Sequence, residues 1–173
     1  PHDPQDVAET TELVLDEVRI ENPNAAPACV AQWLFEGDLL DSTGRGHPLT
    51  GENAEFVPVP GGQAIKPGPR GLQAASHPDL QLAPGLRIDC SVYFDEIPSE
   101  NRHLVSKDGE YQLRLNSPAE GGCFAFFVNL DGWEPRVSDK QRVVPGQWYR
   151  VTACWDGSAL ALDVNGQRSR LAR

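Results

Sequence analysis

Residues 145–166 read PGQWYRVTACWDGSALALDVNG, and this ribbon constrains the fold more than any other part of the chain. Tyr149, Val151, Ala153 and Trp155 alternate with Arg150, Thr152 and Cys154. That is the period-2 pattern of a strand with one wet face and one dry face. Asp156-Gly157 turns the chain, Leu160, Leu162 and Val164 resume the alternation, and Asn165-Gly166 turns it again. Asp-Gly and Asn-Gly are strong short-range hairpin signals because both residues tolerate positive φ. The segment is therefore expected to form two strands, each followed by a tight turn.

The rest of the 173-residue chain repeats this grammar. Residues 13–20 (LVLDEVRI) alternate as a strand, and 29–35 (CVAQWLF) place Ala31, Trp33 and Phe35 on one face. Residues 55–84 scatter apolar positions among Pro and Gly, as short edge strands do, because Pro is tolerated mainly at sheet edges. Leu86–Phe94 reads as a clear strand. His103–Ser106 and Tyr111–Leu115 flank the Lys107-Asp108-Gly109 turn as a hairpin, and Phe124–Leu130 is an apolar strand ending at Asp131-Gly132. No apolar stripe of helical period exceeds two turns. Sixteen Gly and fifteen Pro favour many short strands over long helices. Residues 1–12 are polar and acidic without periodicity and read as a flexible tail. The expectation is one domain over 13–173, an all-β, two-sheet antiparallel sandwich.

A formal charge of −10 argues against nucleic-acid backbones and anionic membranes as partners. No apolar run approaches the roughly 18 residues of a membrane span, so no membrane insertion is expected. The sequence contains no Met and no recognisable signal peptide, which suggests a processed piece of a larger multidomain protein. Cys29, Cys90, Cys123 and Cys154 form no CxxC pair, so a structural zinc site on these thiols is not expected. They read as small buried hydrophobes, or as partners in at least one disulfide, and sequence leaves the pairing open. Cys90 is in phase with Leu86, Ile88, Val92 and Phe94 and should face the core.

Several pieces, in order, resemble the laminin-G-like, concanavalin A-like lectin/glucanase jelly roll. They are Val30-Ala-Gln-Trp33-Leu-Phe35 followed by Asp41-Ser-Thr-Gly44, the Leu86–Phe94 strand, His103-Leu-Val-Ser-Lys107, and the Trp148-Tyr149 hairpin with Asn165-Gly166. The resemblance covers about residues 28–166. Such modules usually end on a strand like Ile-Asp-Glu-Val-Arg-Ile-Tyr. Here Leu15-Asp-Glu-Val-Arg-Ile-Glu21 stands near the front instead. It is either the terminal strand moved forward or the last strand of an upstream copy. In both cases residues 13–20 are expected to pair with residues 30–35.

The resemblance implies a lectin-like recognition module of an exported protein, extracellular, periplasmic or on a bacterial cell surface, binding carbohydrate. A protein-contact or spacer role is the alternative. It also implies one structural calcium ion, with Asp16 and Asp41 as side-chain ligands and carbonyls near Gly46 completing the shell. The alternative for Asp41 is a turn cap on its own backbone. Trp133, just after Asp131-Gly132, is the candidate sugar-stacking residue, with Arg136, Asn129 and Arg114 as hydrogen-bonding partners. The other tryptophans, Trp33, Trp148 and Trp155, are expected in the core.

Laminarinase-type hydrolases of this fold carry Glu-x-Asp-x-x-Glu, two carboxylates about 5–5.5 Å apart across the scissile bond. The nearest string here, Glu36-Gly-Asp38-Leu-Leu-Asp41, ends in Asp, contains Gly and lies in the acidic loop. No nucleophile elbow, HExxH, phosphate loop or dinucleotide fingerprint occurs. A non-enzymatic role is therefore expected.

Overall fold

The computed structural model describes residues 13–23, 25–26 and 28–172; the tail expected over 1–12 lies outside the described residues. Fourteen strands follow in chain order: β1 (Leu13–Glu21), β2 (Cys29–Trp33), β3 (Leu49–Thr50), β4 (Glu55–Val59), β5 (Gly62–Lys66), β6 (Gln73–Ala74) and β7 (Leu86–Phe94), then β8 (Arg102–Lys107), β9 (Tyr111–Leu115), β10 (Phe124–Val128), β11 (Arg136–Ser138), β12 (Trp148–Trp155), β13 (Ala159–Val164) and β14 (Gln167–Ala172). The helical elements among the described residues are single 3-10 turns at Pro78–Leu80 and Pro118–Glu120. No described helix is long and apolar enough to cross a membrane.

Two antiparallel sheets dominate. The larger runs β14-β13-β12-β7-β1-β5-β4 with β2 paired to β1, and the smaller runs β11-β10-β9-β8. β1 lies inside the large sheet. One of its edges pairs with β7 from Leu13↔Phe94 to Glu21↔Arg87. Its other edge is shared by β5, at Leu15↔Ile65, and β2, from Val18↔Trp33 to Glu21↔Cys29. The pairing of residues 13–20 with 30–35 is thus present. β4, which carries Pro58, lies at the sheet edge, where a missing N–H leaves no ladder bond unmade.

The core fills the gap between the sheets with alternate residues of each strand. β7 contributes Leu86, Ile88, Cys90, Val92 and Phe94, β12 contributes Tyr149, Val151, Ala153 and Trp155, and β10 contributes Phe124, Phe126 and Val128. Phe124 meets Tyr149 edge-on at 5.4 Å between centroids and Phe94 at 6.4 Å, joining the layers. Each such side chain taken fully out of water contributes about 1.5–3 kcal/mol. Both predicted turns form, by different means. Asn165 and Gly166 both have positive φ, 50° and 84°, as the two-residue hairpin requires. At Asp156-Gly157-Ser158 the Asp156 carboxylate instead accepts from the Ser158 amide and hydroxyl and the Ala159 amide.

Trp148 departs from the expected core position. It is 37% exposed and packs on Tyr93 at 5.6 Å, on the outer face of the large sheet. The cause is phase. Tyr149 is buried, so its neighbour must point outward with Arg150 and Thr152. Trp33 and Trp155 are in the core. All four cysteines are free thiols, and burial pushes Cys90 up to about 12.

Candidate functional site

The candidate ligand face is the side of the small sheet turned away from the core. Phe124, Phe126 and Val128 of β10 face inward, so Ala125 and Phe127 face outward. Register then decides what surrounds Phe127. Gln112 of β9 and Arg136 of β11 lie directly opposite it, while Arg114 is opposite both Ala125 and His103 of β8. Directly opposed residues share a face. The Arg114 guanidinium stands 4.4 Å from the Phe127 ring centre and that of Arg136 stands 5.6 Å away, so two cations cover one ring. Each contact contributes about 0.5–2 kcal/mol, more where water is excluded.

The predicted binding residues enter this face unequally. Arg136 is half exposed and ion-paired with Glu134 at 3.3 Å. Arg114 is mostly buried, with its side chain 13% exposed. Its Nε donates to Asn116 Oδ1 at 2.8 Å and a terminal nitrogen to Glu120 at 2.7 Å. Asn129 also has a structural task. Its Oδ1 accepts the Gly132 amide at 2.9 Å and closes the Asp131-Gly132 turn, where Gly132 has a φ of 131°. That turn carries Trp133 outward, 40% exposed. The structure therefore joins Arg114 to Arg136 through Phe127, and joins Asn129 to Trp133 through the turn.

Two neighbours on this face had no distinct sequence signal. Gln112 is buried and bonds the His103 side chain. Desolvation, then the Arg114 charge, holds the His103 imidazole below its ordinary value despite that bond. His103 stands on the same face, directly opposite Arg114. Its placement depends on which residue of β9 lies opposite, which composition does not reveal.

Asp41 and Gly46, assigned with Asp16 to calcium, lie on the loop after β2, and Asp16 lies on β1. Asp41 accepts from the Gln32 amide (3.1 Å), the Thr43 amide (3.0 Å), the Thr43 hydroxyl (2.7 Å) and the His47 amide (3.2 Å). Three of these bonds fall on Oδ1, and Oδ2 takes the His47 amide and shares the Thr43 hydroxyl. Burial alone would raise its pKa; the four hydrogen bonds outweigh that and hold it below the ordinary value. Asp41 thus caps the turn through its own loop backbone. Asp16 has Glu17 and Glu36 as its acidic neighbours, and desolvation followed by those two charges raises it. Gly46 bends the same loop with a φ of 87°.

The carboxylates of the Glu36–Asp41 string are likewise committed to backbone. Glu36 accepts the Gln63 amide at 3.1 Å, and Asp38 accepts the Leu40 amide at 2.9 Å.

A separate concavity lies elsewhere, and no sequence motif marks it. A cleft of about 910 Å³ opens between β8 and residues 67–76. Leu15 and Trp33 lie at its apolar floor, and Arg70, Arg102 and Lys107 are among its polar lining. The Arg102 Nε is buried without a hydrogen-bond partner. Its size falls within the roughly 300–1,000 Å³ of small-ligand sites. The Pro67-Gly68-Pro69 run signals only irregular backbone; the space arises from where that backbone crosses a distant strand.

A laminin-G-type family model described as the concanavalin A-like lectin/glucanases superfamily matches residues 76–170, which span β7 to β14. No curated protein and no solved structure matches the chain.

Proposed function

Because this chain belongs to the concanavalin A-like lectin/glucanase superfamily, we propose that it is a non-catalytic module that binds carbohydrate. The superfamily includes glycosidases as well as lectin and laminin-G modules. The observation that carries the reading is Trp133, exposed on a turn fixed by Asn129 and three residues before the half-exposed Arg136. A flat aromatic ring accepts the apolar face of a sugar, and a neighbouring guanidinium donates to its hydroxyls. Binding borne by a loop on a rigid sheet suits a recognition module. The non-catalytic part is supported by Glu36, Asp38 and Asp41, each of which stabilises local backbone. In the cleft, the lining carboxylates Glu55 and Asp108 are both exposed.

The test is a glycan array followed by titration calorimetry on the best ligand. Trp133→Ala is expected to remove binding without lowering the melting temperature, and Arg136→Ala to weaken it. Binding lost instead with Arg102→Ala and kept with Trp133→Ala would move the site to the cleft. A protein-contact role is the second reading, supported by the exposed Trp148, which packs on the part-buried Tyr93 on the outer face of the large sheet. An array with no hits and a pulled-down partner lost on Trp148→Ala would favour it. In either role we take the chain as one unit of a larger exported or surface protein.

A further inference from the structure

Two histidines and an aspartate that the recognition face does not use converge at the opposite end of the acidic loop. His47, His77 and Asp79 present ligand atoms that all lie within 4.8 Å of one another, and theirs is the one such metal-capable group among the described residues. His47 Nε2 is 3.3 Å from Asp79 Oδ2, and His77 Nδ1 is 3.6 Å from the same oxygen. A tetrahedral zinc with ligand bonds of about 2.0–2.1 Å has ligand–ligand edges of about 3.3–3.4 Å. The two separations therefore already approximate two edges of the tetrahedron.

The surroundings hold the donors in place. His47 is 3% exposed, with its amide bonded to Asp41 and its carbonyl accepting the Trp33 indole N–H at 2.7 Å. The His77 Nδ1 accepts the Asp79 amide at 3.1 Å, which directs its lone pair at the Asp79 backbone. A metal ion would take this lone pair in exchange for one amide hydrogen bond. The imidazole rings are 4.7 Å apart and tilted by 58°, neither stacked nor splayed. Arg45 Nε, 3.5 Å from Asp79 Oδ2 and without a hydrogen-bond partner, is placed to orient the carboxylate from outside the ligand set. The side chain of His77 is half exposed, so the fourth position opens to solvent.

We propose that His47, His77 and Asp79 bind a first-row divalent ion of the zinc class, which clasps the loop before β3 to the 3-10 turn at Pro78–Leu80. Mixed nitrogen and oxygen ligands favour such an ion over calcium, which takes oxygen ligands.

The experiment is titration of chelator-stripped protein with zinc, by calorimetry and by melting temperature, with cobalt as the spectroscopic stand-in. One equivalent of zinc should bind and raise the melting temperature, since an ion held only by the folded state stabilises it. His77→Ala changes a half-exposed side chain and should fold. It should lose affinity at least as far as the roughly 10–100-fold that removing an outer-shell partner costs. Asp79→Asn should behave alike, and the cobalt complex should show tetrahedral visible bands without thiolate charge transfer. The proposal is overturned if zinc does not bind, if His77→Ala and Asp79→Asn bind as the parent does, or if thiolate-to-cobalt bands show that the free cysteines are the ligands.

Discussion

Trp33 donates its indole N–H to the carbonyl of His47 at 2.7 Å, in a buried contact between residues fourteen positions apart. The bond ties the outgoing end of β2 to the far side of the loop that Asp41 organises. Removing the donor strands a buried carbonyl, which costs about 1–3 kcal/mol. Trp33→Phe should therefore lower the unfolding free energy by that amount, read from the urea midpoint at unchanged slope. A loss below a few tenths of a kcal/mol would mean that the carbonyl finds water.

Asp89 predicts acid sensitivity. It is buried on the outer side of β7, where Arg87 donates to both of its oxygens, at 2.8 and 3.0 Å, and the Thr152 hydroxyl donates at 2.5 Å. Burial alone would raise it, but these bonds and the Arg87 and Arg150 charges hold it below its ordinary 3.8. A depressed folded-state pKa contributes stability that is present above the unfolded value and lost as pH falls through the folded one. Stability should thus decline below about pH 4. Asp89→Asn should cost about 1.5–3 kcal/mol at neutral pH and flatten this acid limb. Paired urea melts across the range measure both.

The thiols should separate by exposure. Cys90 is buried in the core with its thiol pushed up to about 12, whereas Cys29 and Cys154 are partly exposed. Only a thiolate alkylates readily. In mildly alkaline buffer, mass spectrometry should find Cys29 and Cys154 modified first and Cys90 modified only on unfolding. Early labelling of Cys90 would contradict the sheet packing.

Calcium gives a contrasting test in the acidic loop. Four protein groups already donate to the Asp41 carboxylate. The expected melting temperature is the same in chelator and in excess calcium, while Asp41→Ala lowers stability by about 1–3 kcal/mol through unsatisfied amides. A calcium-dependent rise abolished by Asp41→Ala would restore the ion to this loop.

These cases show what the sequence could disclose. Period-2 alternation located β7, β12 and β13 because each has one dry face, and Asn165-Gly166 announced its turn through the positive φ that both residues adopt. The same alternation contained the answer for Trp148, since Tyr149 and Val151 set the inward phase; size and apolarity pointed the other way. The candidate binding residues were half legible. Trp133 follows a marked turn, but the two guanidinium groups over Phe127 depend on cross-strand register among β9, β10 and β11. The cleft beside β8 and the meeting of His47 with Asp79 were not legible. Both depend on where separate loops cross, and no local pattern encodes that.

The place of β1 has a consequence for biosynthesis. Its apolar side chains find their longest partner in Leu86–Phe94, some seventy residues later. At about 5–20 residues per second, a ribosome needs roughly 4–14 s to supply that partner. During this interval β2 and β5 can cover one edge of β1, but the edge that pairs with β7 remains available to chaperones or to neighbouring nascent chains. Expression yield should therefore respond more to holdase capacity than to the final stability of the sandwich.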